Sequence, residues 1–132
     1  MKVKKIKVPY YKHTIISTIA DSKDSGEEIL KLMKRYHIPA EHIESVRAEF
    51  DGGANGGAEI FYNDGALLIF IVTYPHKNAC LLVSTLVHEG RHAADRIINN
   101  TGLEGPEAAA YLEQYIIMEL IKDYVKDEAY TV

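Results

Sequence analysis

The run Leu67 to Val72, LLIFIV, is apolar at every position. Successive side chains of a strand point to opposite faces, so a strand of this kind needs cover on both. It must sit centrally in a sheet, or between a helix layer and a partner. Immediately before it, Ala58 to Tyr62 forms a second strand pattern, and Asn63, Asp64 and Gly65 separate the two. Asp-Gly suits the left-handed positions of a tight turn, so residues 58–73 predict a hairpin. Whatever the chain builds must enclose this pair.

The flanking segments supply the cover. Residues 3 to 19 alternate as a strand, interrupted at Pro9, with Ile6 and Val8 and then Ile15, Ser17 and Ile19 on shared faces. Asp24 with Glu27, or Ser25 with Glu28, has the spacing of a capping box. A helix follows to about Tyr36, with Ile29, Leu32, Met33 and Tyr36 as its apolar stripe, and Pro39 blocks its continuation. From Ile43 to Phe50, Val46, Ala48 and Phe50 alternate with polar residues, which predicts another strand. The glycine-rich DGGANGG at 51–57 is expected as a flexible hairpin loop. It lacks the GK[ST] and the following helix that a phosphate cradle requires.

From Ala79 to about Asn100, Leu82, Val83, Leu86, Val87, Ala93, Ala94, Ile97 and Ile98 gather on one side of a predicted helix, while Thr85, His88, His92, Asp95 and Asn99 form a polar stripe. Gly102 suits the left-handed position that ends it. Gly105 and Pro106 open a last helix, to about Lys126, with Ala108, Tyr111, Leu112, Tyr115, Ile116, Leu120 and Tyr124 at helical spacing. The order is strand, helix, three strands in a meander, and two helices. It predicts one α+β domain over residues 1–132, a sheet layered with helices.

The polar stripe carries chemistry. His88, Glu89 and His92 form HExxH, and residues four apart on a helix lie one turn above each other. Both imidazoles can therefore reach one cation, with Glu89 about 100° around the axis. A catalytic Zn²⁺ takes three protein ligands and keeps one position for water, whose pKa it lowers to about 7. Glu89 is then the general base. The third ligand is open among Asp95, Glu104, Glu107, Glu113 and Glu119. Asp95 lies too near His92 on the same helix and fits better as a partner of a ligand histidine. If the chain turns sharply near Leu103, antiparallel helices match His92 with Glu113 or Gln114. If residues 101–106 run back along the first helix, they can carry Glu107 to the metal. His76 in the preceding loop is expected to be solvated.

Composition removes other classes. A net charge of −4 argues against a nucleic-acid surface, and the one basic concentration, Lys2, Lys4, Lys5 and Lys7, reads as a solvated strand face. A single cysteine, Cys80, excludes an internal disulfide framework, fits a reducing compartment and is expected to be a small buried residue. No run approaches the roughly 20 apolar residues of a membrane span. A soluble, cytoplasmic protein is the expectation. Oligomeric state is not encoded legibly.

The segment HEGRHAAD, followed by EAAAYL from Glu107 to Leu112, resembles a group of small zincin-like, gluzincin-type proteins of phages and mobile elements, described as metallopeptidases. They carry an HExxH helix and a downstream E-x-x-A-Y-L helix. The resemblance covers the last third of the chain and the first half only in general layout. It implies a zincin-like fold, Zn²⁺ as cofactor, His88, His92 and Glu107 as ligands, Glu89 as acid/base and a peptide or protein substrate. Tyr111, one turn from Glu107, is expected to pack. The competing reading is a non-catalytic protein of similar fold that binds metal or a partner.

Overall fold

The computed structural model describes residues 1–9, 11–54, 56–63 and 67–123. Two strands open the chain, β1 at Lys2–Val8 and β2 at His13–Ile19. They form an antiparallel hairpin in which Ile6 faces Ile15 and Val8 faces His13. The single strand expected over 3–19 is therefore folded back on itself. Pro9 cannot donate to a ladder, and Lys12 takes a left-handed φ of 55°, so the chain reverses between them. The shared faces survive this correction, because Ile6, Val8 and Ile15 end up on one side of the sheet.

A 3₁₀ turn at Lys23–Ser25 leads into helix α1 at Gly26–Arg35. The expected capping box does not form: Ser25 already has helical φ and ψ and makes no side-chain cap. Its N–H is satisfied by Ser22 O instead. Ile29, Leu30 and Met33 are buried, and Tyr36 meets Phe70 edge-on at 6.1 Å between ring centroids.

Residues Ala40–Asp51 form helix α2, not the strand expected at 43–50. Ile43, Val46 and Phe50 are its buried residues, and their spacing of three and four is helical. The alternation of Val46, Ala48 and Phe50 also fits a period of two. Glu41, Glu44, Arg47, Ala48 and Glu49, all good helix formers, decide between the periods. Gly53 ends the helix at φ 75°, with the N–H of Ala54 on Glu49 O and its own on Phe50 O. This pair of bonds is a Schellman stop. DGGANGG is accordingly a helix-to-strand connection, not a hairpin loop.

The predicted hairpin is present as β3 at Gly57–Asn63 and β4 at Leu67–Thr73, antiparallel with Ile60 opposite Phe70. Its turn, 64–66, lies outside the described residues. The sheet is mixed, in order β1-β2-β4-β3, with β2 and β4 parallel. LLIFIV is thus central. Phe70 and Val72 face a core with α1 and α2, and Ile69 and Ile71 face a second core. That second core is closed by α3 at Ala79–Thr101 and α4 at Pro106–Ile121. The architecture is α+β, a four-stranded sheet with a helix pair on each face. Among the described residues no helix is long and apolar enough to cross a membrane.

Candidate metal centre

Helix α3 is fixed at both ends. Asn78 Oδ1 accepts the N–H of Leu81 at 2.9 Å, and Gly102, at φ 68°, returns its N–H to Ile98 O. Leu86, Ala93, Ala94 and Ile97 bury the face that meets the sheet. Two glycines set how closely its neighbours approach. A Cβ on Gly90 would come within 3.0 Å of Leu120 Cδ1 and 3.1 Å of Ile117 Cγ1, so α4 packs against bare helix backbone there. A Cβ on Gly57 would come within 2.8 Å of Thr85 Cγ2 and 3.2 Å of Glu89 Cγ, so β3 lies equally close on the other side.

Between these neighbours His88 and His92 stand exposed, with rings 4.8 Å apart and nearly perpendicular. Their Nε2 atoms face each other at 3.2 Å. Two nitrogens bound to one tetrahedral zinc at about 2.0–2.1 Å lie about 3.3 Å apart, so this edge of the tetrahedron fits. Glu89 is 5% exposed beside them. Burial pushes its carboxyl above the usual range, His88 and His92 pull it back, and Glu59 and Glu49 add to the rise. A carboxylate shifted this way is a better proton acceptor at neutral pH.

The acidic candidates on the two helices are placed differently. Arg91 binds Asp95 at 3.2 Å and Glu113 at 3.1 Å. The Arg91–Glu113 pair shows that α3 and α4 are in the register expected of a sharp turn, yet Arg91 occupies both acids. Glu119 pairs with Lys122 and Lys4. Glu107 is exposed in the first turn of α4 and Glu104 is exposed before it. Glu107 precedes Glu113 by six residues, about 9 Å along the helix axis. Among the described residues, no three His, Cys, Asp or Glu side chains gather closely enough to hold a metal ion. The histidine pair is formed and its third partner is not drawn in.

Three smaller expectations change. Cys80 is exposed, at the start of α3. Tyr111 is 67% exposed instead of packed, because Leu112, Ile116 and Leu120 take the buried face of α4. His76 is half-buried and its Nε2 lies 2.9 Å from Thr85 Oγ1, so it attaches the loop to α3. Sequence reasoning passed over two groups. The side chain of Glu59 on β3 is 6% exposed, and Arg96 Nε lies 3.6 Å from its Oε2. Tyr74 is buried, and its hydroxyl donates to Glu49 Oε2. Burial, Glu49 and Glu89 push the phenol well above its usual range, so it stays neutral. The available signal for Glu59 was one acid inside an otherwise apolar strand.

No protein-family model, no curated protein and no solved structure matches this chain. The reading of the site rests on its own residues.

Proposed function

We propose that this chain is a zinc-dependent hydrolase of zincin-like fold, acting on peptide bonds. The observation that carries the reading is the convergence of His88 and His92 Nε2 at 3.2 Å beside the buried Glu89. His88 and His92 hold the cation, with Glu107 as the proposed third ligand. Among the described residues Glu107 makes no ion pair, whereas Glu113 would have to leave Arg91. When bound, zinc polarises a carbonyl and lowers the pKa of a water to about 7. Glu89 takes the proton of the attacking water and passes it to the leaving amine. Its burial excludes bulk solvent from that transfer. β3 is the sheet edge beside α3, and an extended peptide can add to such an edge by main-chain hydrogen bonds.

Among the described residues no third donor is gathered beside the histidine pair, which favours a second reading, a non-catalytic protein that binds metal or a partner. Elemental analysis of the purified wild type and of His88→Ala, Glu107→Ala and Glu113→Ala tests the metal site, and hydrolysis of a peptide library separates the two readings. The hydrolase reading expects near one zinc per chain, lost in His88→Ala and in Glu107→Ala alone of the glutamate variants. Glu89→Gln should keep the zinc and lose hydrolysis of a peptide library. Zinc-free wild type after zinc is supplied, or a fully active Glu89→Gln, overturns it.

A further inference from the structure

β3 delivers to α3 an ionisable side chain that belongs neither to HExxH nor to the acids of the helix pair. Glu59 stands opposite Ile71 in the strand register, and Ile71 faces the core shared with α3 and α4. Glu59 therefore leaves the strand toward α3. Two residues earlier on the same face, Gly57 abuts Thr85 and Glu89. Two strand residues advance about 6.6 Å, somewhat more than one helical turn, which brings Glu59 abreast of His92 and Arg96. The ion pair with Arg96 agrees, since Arg96 follows His92 by one turn on the same face.

The two oxygens of Glu59 are not equivalent. Oε2 faces the Arg96 guanidinium at 3.6 Å, while Oε1 is buried with no hydrogen-bond partner. A buried, unpartnered carboxylate oxygen is costly, and such atoms are rare in folded proteins. His92 can supply the donor, because its Nε2 is turned to His88 and Nδ1 is its other ring nitrogen. A neutral imidazole carries one N–H and one bare nitrogen, and whichever nitrogen donates decides which is free for a cation.

We propose that Glu59 is the positioning residue for His92: Oε1 accepts the Nδ1–H of His92, with Oε2 steadied by Arg96, which fixes the tautomer whose bare Nε2 is aimed beside that of His88. Metal-bound histidines commonly donate their second N–H to a carboxylate, and loss of that partner weakens metal affinity about 10–100-fold. Burial raises the Glu59 carboxyl above its usual range, and Arg96 first and then His92 oppose that rise. The metal half of the proposal rests on the zinc reading above, and the tautomer half does not.

Two measurements on the full chain test it, with Glu59→Ala and the isosteric Glu59→Gln beside wild type. Nitrogen-15 imidazole correlation spectra of the zinc-free proteins report the His92 tautomer, and competition with a chromophoric chelator reports Zn²⁺ affinity. Wild type should hold His92 as the Nδ1–H form. Glu59→Ala should shift it toward Nε2–H and bind zinc 10–100-fold more weakly. Glu59→Gln, which keeps an acceptor without the charge, should fall between and guards against a failure of the alanine variant to fold. An unchanged tautomer with affinity within twofold of wild type overturns the proposal. So does complete loss of zinc in both variants, which would make Glu59 a ligand. Wild type that binds no zinc sinks the hydrolase reading, while the tautomer spectra still decide the role of Glu59.

Discussion

Glu89 is kept out of water at a cost to the fold, and that cost is measurable. Its carboxyl is raised by burial above the ordinary 4.5. The folded chain therefore prefers it protonated more strongly than the unfolded chain does. Above the raised value it is ionised in both states, and the folded state bears the penalty. As pH falls through the raised value toward 4.5, the penalty disappears and stability is gained. Zinc-free Glu89→Gln should be more stable than wild type at neutral pH, with the gap closing as pH drops to about 4. Urea midpoints across pH check this, and a gap constant with pH refutes it. At this scale HExxH was legible because its geometry is local, three residues within one helical turn. Glu59 was not, because thirty residues separate it from Glu89 and only the strand register brings them together.

The elements were legible where one period or one turn signal stood alone. Gly102 and Pro106 mark the ends of α3 and α4, and Asp64-Gly65 marks the hairpin between β3 and β4. The segment 43–50 was not legible, because its apolar residues satisfy periods of two and of three to four together. The stop at Gly53 is the feature that identifies it as a helix. Glycine also decides how tightly the elements clasp α3. In Gly57→Ala the new methyl meets Thr85 Cγ2 at 2.8 Å and the Val72 carbonyl oxygen at 3.2 Å. Threonine is stiff at χ1 and the carbonyl belongs to the ladder, so β3 must move away from α3. We expect a loss of about 1–3 kcal/mol in chemical denaturation, and weaker metal binding if β3 supports His92 as proposed. Wild-type stability in this variant would show that the gap is slack.

In the whole molecule, one sheet carries two cores. Phe70 is fully buried against α1 and α2, on the face away from the histidines. Phe70→Ala should cost about 3–5 kcal/mol, a large share of the stability of a domain this size. If His88 and His92 hold zinc only in the folded chain, zinc at a hundredfold excess over its dissociation constant restores about 2.7 kcal/mol. Thermal melts of Phe70→Ala with and without zinc read both numbers. A melting temperature indifferent to zinc, in a variant that elemental analysis shows to hold it, would mean that the helix pair and the far core are not one cooperative unit.

The outer strands of that sheet carry a further implication. An unpaired strand invites any extended chain, including another copy of the same protein. β1 spends four of its seven residues on lysine, and β3 turns an acid inward beneath α3. Both are devices that keep edge strands from pairing with each other. The edge proposed to receive a peptide is thus also the one where self-association must be refused, and a neutral Glu59 would relax that refusal as well as the hold on His92.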